Sequence, residues 1–107
     1  MAGSDGFVIE QILGSLAAAG RRVDPSYLRT SDGYEIDLVF RLGDRTWAIE
    51  IKLTSNPAPH DLERLNKAAN LIDATHRVLI SRTNSPAVGD RMASCDLATT
   101  LGLLLDT

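Results

Sequence analysis

The alternation of apolar and polar positions is sharpest between Tyr34 and Thr54, YEIDLVFRLGDRTWAIEIKLT. Glu35, Asp37, Val39 and Arg41 fall on one side of this pattern and Ile36, Leu38, Phe40 and Leu42 on the other, the period of a half-buried strand. From Thr46 the period returns, with Trp47, Ile49, Ile51 and Leu53 on one face and Ala48, Glu50 and Lys52 on the other. Gly43-Asp44 lies between the runs, and glycine at the first central position suits a two-residue type II′ hairpin turn. With those two residues as the loop, Leu42 opposes Arg45, Phe40 opposes Trp47, Leu38 opposes Ile49 and Ile36 opposes Ile51. On the other face Asp37 opposes Glu50 and Glu35 opposes Lys52. A slip of one residue would set Asp37 against Ile49 and spoil both faces.

The flanking segments predict the layers that cover this hairpin. Ser4 is a fair N-cap for a helix from Phe7 to Ala19 that Gly20 ends, with Val8, Ile12, Leu16 and Ala19 along one side and Ile9 and Leu13 beside them. On that wheel Asp5 falls in the middle of the apolar side, whereas Glu10 lies beyond its edge. Met1 to Gly3 reads as flexible or as a cloning remnant. Tyr27 to Thr30 predicts a short strand, and Ser31-Asp32-Gly33 a turn.

A second helix is expected from Pro59 to Ile72, buried through Leu62, Leu65, Ala69 and Ile72. Val78-Leu79-Ile80, within 76–81, reads as a strand covered on both faces, reached by a right-handed crossover and so parallel to the third strand. Residues 82–90 read as a loop, Met92 to Leu97 as a last edge strand and Thr99 to Leu105 as a terminal helix, apolar all round from Leu101 and so available for contact with a partner or a second copy. The expected fold class is α/β: one domain over residues 1–107 with an αβββαβ core, a mixed central sheet flanked by helices.

Composition narrows the functional classes. The 44% hydrophobic and 23% charged content is that of an ordinary globular domain, and no apolar run has the length of a membrane span, so a cytoplasmic protein is expected. The single Cys95 excludes an internal disulfide and a cysteine metal knuckle. With 11 basic against 14 acidic residues the net charge is −3, so DNA affinity from this domain alone should be weak. His60 and His76, without paired ligands nearby, read as surface or packing residues.

The chemistry gathers at the acidic end of the hairpin. Directly opposed side chains lie about 5 Å apart at Cβ, so Asp37 and Glu50 repel unless something offsets their charge. A hard divalent cation does so, taking one or two carboxylates and keeping its other positions for water and phosphate. The alternative is a solvated polar strand face.

Asp37, followed thirteen residues later by Glu50-Ile51-Lys52, resembles the D...(D/E)xK signature of the PD-(D/E)xK nuclease superfamily, with Glu35-Ile36-Asp37 in place of the first Pro-Asp. Arg29-Thr30, Gly33, Glu35-Ile36-Asp37 and Glu50-Ile51-Lys52 recur in that order in one subgroup, the nuclease-like domain at the C-terminus of bacterial and archaeal AAA-type ATPases. AGSDGFVIEQIL also resembles the opening helix of that domain, so the likeness covers nearly the whole chain, most weakly after Arg82.

The resemblance implies a restriction-endonuclease-like core and Mg²⁺- or Mn²⁺-dependent phosphodiester hydrolysis. It assigns the metal to Asp37, Glu50 and the backbone carbonyl of Ile51, and water activation to Lys52. Glu35 either serves a second metal or pairs with Lys52. Asp5 stands where the family carries a glutamate that completes the acidic cluster; here it is one methylene shorter and either joins the cluster or caps its helix, with Glu10 as the substitute. Arg29 either meets a phosphate or pairs with Glu35, and Arg64 and Lys67, neighbours on one helix surface, either touch nucleic acid or face solvent. The implied partners are DNA and an ATPase module. The competing class is a non-catalytic domain that keeps the fold for docking on DNA or on that module. No P-loop motif occurs, so ATP is not expected to bind.

Overall fold

The computed structural model describes residues 3–106, and Met1 and Ala2, expected to be flexible, lie outside them. In chain order the elements are α1 (Gly3–Ala18), β1 (Ser26–Arg29), β2 (Glu35–Leu42), β3 (Arg45–Ile51), α2 (Pro59–Leu71), β4 (His76–Ile80), β5 (Ala87–Val88), β6 (Met92–Cys95) and α3 (Leu97–Leu105). The strands form one mixed sheet in the order β1-β2-β3-β4-β6-β5. The αβββαβ core is therefore present, and the α2 crossover makes β3 and β4 parallel.

Two apolar layers close over the sheet. On one face Val8, Ile12 and Leu16 of α1 and Leu104 of α3 pack against Leu38, Phe40, Leu42, Trp47, Ile49, Ile51, Val78 and Ile80. On the other, Leu65, Ala68 and Ala69 of α2 cover Ile36, Ala48 and Leu79. The central strand β4 alternates between these layers, which is why Val78-Leu79-Ile80 is continuously apolar. Small residues at 48, 68 and 69 let α2 pack closely against the sheet.

The hairpin forms as expected at its closed end. Leu42 pairs with Arg45, Phe40 with Trp47 and Leu38 with Ile49. Gly43 carries a positive φ of 66°, whereas Asp44 is not among the positive-φ residues, the combination a type II′ turn requires. At the open end the alternation breaks. Ser26 pairs with Val39 and Leu28 with Ile36, so Asp37 and Leu38 together stand opposite the single residue Tyr27. This is a β-bulge, and it shifts the parity of everything before it. Ile36 consequently faces the α2 layer and not the α1 layer, so the expected Ile36–Ile51 pair does not form.

Other boundaries differ for local reasons. α1 starts at Gly3, before the expected cap Ser4, and Ala19 lies beyond its end, exposed. The expected loop 82–90 contains the short strand β5, which takes the edge position and leaves β6 inside the sheet. α3 starts at Leu97 because Asp96 caps it, its Oδ1 accepting from the Thr99 N–H at 2.9 Å. The core absorbs Leu104 wholly and Leu101 and Leu103 in part; Leu105 remains 46% exposed. His76 is a packing residue, its ring centroid 4.8 Å from that of Trp47.

Candidate active site

Past Leu38 and Ile49 the strands β2 and β3 part, and side chains take over the pairing. The backbone N–H of Asp37 donates to Glu50 Oε1 at 3.1 Å, and the N–H of Ile51 donates to Asp37 Oδ2 at 2.9 Å. Each acid thus accepts from the backbone of the opposite strand, which holds the two half-buried carboxyl groups side by side. Meanwhile β3 continues along β4, with the Lys52 N–H donating to Ile80 O at 2.8 Å and the Arg82 N–H to Thr54 O at 2.9 Å. The bulge on one strand and the continued parallel pairing of the other open the fork.

The electrostatics follow from this crowding. Burial and then the neighbouring Asp37 push the Glu50 carboxyl up to about 8, so near neutral pH it retains a proton beside its partner. Asp5 is also raised, first by burial and then by Asp37, while Lys52 draws it down. The opening helix therefore brings Asp5 into the field of the pair, as the wheel suggested, whereas Glu10 is exposed farther along. Among the described residues no three His, Cys, Asp or Glu side chains converge as a ready-made metal cage, so the arrangement is a carboxylate pair with Asp5 as an outlying charge. Ile51 enters this geometry through the N–H that orients Asp37.

Lys52 and Glu50 line a small cavity of about 80 Å³ on the α2 side, together with Glu35, Asp61 and Arg64. Lys52 Nζ is 3.9 Å from Asp61 Oδ1, not paired with Glu35. Glu35 is held instead by Arg29, which is the structural alternative expected for Arg29 and not the Lys52 pairing expected for Glu35. Arg64 is committed as well: Nη2 donates to Gly33 O at 2.6 Å, and its guanidinium lies 5.3 Å from the centroid of the Tyr34 ring. Of the three residues expected to meet nucleic acid, Lys67 is exposed on α2, and Arg29 and Arg64 brace the β1–β2 turn.

Asp61 was not singled out by the sequence reading. Its Oδ2 accepts from the Ala58 N–H at 2.9 Å, closing the first turn of α2, and its Oδ1 faces Lys52. The readable signal was an acid three residues after the N-cap of a Pro-initiated helix; that it also reaches Lys52 depends on the crossover.

Comparison with known families places the chain. A family model described as a domain of unknown function, DUF4143, matches residues 3–97. The chain belongs to the DUF4143 family. The matched span runs from the start of α1 to the first residue of α3, so it includes every residue of the acid pair and its surroundings. DUF4143 is often the C-terminal module of AAA-type ATPases. No curated protein and no solved structure matches the chain. No helix among the described residues is long and apolar enough to cross a membrane.

Proposed function

We propose that this domain is a divalent-cation-dependent phosphodiesterase acting on DNA, built on a restriction-endonuclease-like core. The observation that carries the reading is the reciprocal bonding of Asp37 and Glu50 at the open end of the hairpin, with Lys52 two residues along on the face of Glu50. A pair of carboxyl groups forced together so closely that one keeps a proton is suited to exchange that proton for a cation. Asp37 and Glu50 would hold Mg²⁺ or Mn²⁺, with the Ile51 carbonyl and Asp5 as further oxygen donors. The bound ion would polarise a phosphate and acidify water.

The chain's own groups then have separable tasks. The Ile51 N–H fixes the Asp37 carboxylate, and the Asp37 N–H fixes Glu50, so neither acid must reorganise as charge develops. Asp61 draws Lys52 toward the small cavity beside Glu50, where its ammonium orients an attacking water and offsets negative charge on the phosphate. Glu35, neutralised by Arg29, shapes the rim of that cavity.

A second reading keeps the fold for docking on DNA or on an ATPase module. It is favoured by the engagement of Arg29 and Arg64 in intramolecular contacts and by the net charge of −3, which leave few cations for phosphate. A cleavage assay on branched, single-stranded and duplex DNA with Mn²⁺ separates the two. The phosphodiesterase reading predicts cutting that Lys52→Ala and Glu50→Ala both abolish in folded protein. Folded wild type that cuts none of the three forms leaves the docking reading, which pull-down with the ATPase portion then tests.

A further inference from the structure

An open cleft of about 570 Å³ lies on the α1–α3 side of the sheet, at the end where Ile51 pairs with Ile80, and has no part in the reactions above. That volume is within the roughly 300–1,000 Å³ of small-ligand sites. Its floor is apolar, from Leu53, Ile80 and Leu101, and Phe7 stands at its wall with 58% of its surface exposed. Arg82 and Asn84 line it on the polar side.

Two chain connections tie this cleft to the acid pair. Phe7 follows Asp5 by two residues in α1, and Asp5 feels the charges of Asp37 and Lys52. Leu53 follows Lys52 directly and points to the opposite face of the extended chain, so a strand leaving the Lys52 side over the end of the sheet arrives at Phe7. The polar groups select what enters. Asp96, fixed as the α3 cap, is an anion in the lining and repels a phosphate. Asn84 offers both a donor and an acceptor to the edge of a heterocycle, and exposed Arg82 can pair with the phosphate left outside.

We propose that this cleft receives one unpaired nucleobase, stacked on Phe7, of a single-stranded nucleic acid; the inference rests on the phosphodiesterase reading only for where the adjoining phosphate lies. A base within a duplex is stacked and paired and cannot reach the floor unless it is flipped out. The domain therefore prefers single strands and flaps to blunt duplex. An apolar peptide would fill the same floor but would gain nothing from Arg82 or from the neighbouring acid pair.

The test is fluorescence anisotropy with a short fluorescein-labelled oligothymidine, in Ca²⁺ so that binding is read apart from cutting. Phe7→Ala weakens binding about tenfold, the size of one lost base–aromatic stack. Leu71→Ala, equally exposed but on α2 outside the cleft, leaves it unchanged. No binding by the wild type, equal affinity of wild type and Phe7→Ala, or equal affinity for blunt duplex each overturns the base site. Binding that depends on Phe7 without any cutting in Mn²⁺ upholds the base site and removes the phosphodiesterase reading. Cutting that is indifferent to Phe7 does the reverse.

Discussion

The two ends of the β2–β3 hairpin belong to the same pair of strands and do opposite things. At the closed end backbone pairs with backbone, and Phe40, Leu42 and Trp47 are buried in one layer. At the open end a bulge turns Ile36 to the other face from Leu38, and carboxylates accept the N–H groups that a regular ladder would have paired with carbonyls. The closed end is a stability element, and the open end is where two acids are held so close that one of them keeps its proton. Functional sites are commonly found at such bulges, which re-aim a side chain at the cost of regular pairing.

That difference can be broken by mutation, and the closed end gives the largest effect. Phe40 is 2% exposed, and Phe40→Ala should cost about 3–5 kcal/mol in chemical denaturation, a large part of the stability of a domain this size. At the open end Asp37→Ala leaves the Ile51 N–H without its acceptor and should cost about 1–3 kcal/mol. Asp37→Asn keeps an acceptor oxygen and removes the repulsion, so it should be neutral or slightly stabilising. A loss for Asn equal to that for Ala would mean that the charge of Asp37, and not its acceptor, holds the strands.

The same contrast explains what could be read in advance. The turn at Gly43-Asp44, the register from Leu38 to Leu42 and the crossover through Pro59 follow from local chemistry, and they were legible. Asp5 was legible because a helical wheel carries a side chain to the sheet end without knowledge of the sheet. Ile36 was not, since its face depends on how β1 registers against β2, and that bulge leaves no mark in the alternation itself. Nor was β5, two exposed residues with no period to detect, nor Asp61, whose reach to Lys52 depends on where α2 crosses the sheet.

Smaller in effect is the pH dependence of the metal-free protein. The Glu50 carboxyl is raised from the ordinary carboxylate range to about 8, so between those values the folded protein holds a proton that the unfolded chain has released. Stability is then greatest in acid near the ordinary carboxylate pKa, falls as pH rises through the window up to about 8, and is flat above it. For a half-buried pair the loss should be on the order of 1–2 kcal/mol, visible as a fall of several degrees in Tm, and Glu50→Gln should flatten it. A wild-type profile that rises over this window contradicts the sign. Arg29→Ala comes last: its bridge to Glu35 is more than half exposed on both sides, so denaturation should change by about 0–1 kcal/mol.

The central claim is that the open end of the hairpin is a cation site made by Asp37 and Glu50, and calorimetric titration with Mn²⁺ tests it most directly. The wild type should bind the ion at millimolar concentration or below, more tightly at pH 8 than at pH 6, with a heat that varies with the buffer because Glu50 gives up its proton. Lys52→Ala should bind as well as the wild type, and Glu50→Gln should not bind. Absence of Mn²⁺ binding in the folded wild type, or equal binding by Glu50→Gln, would contradict the claim.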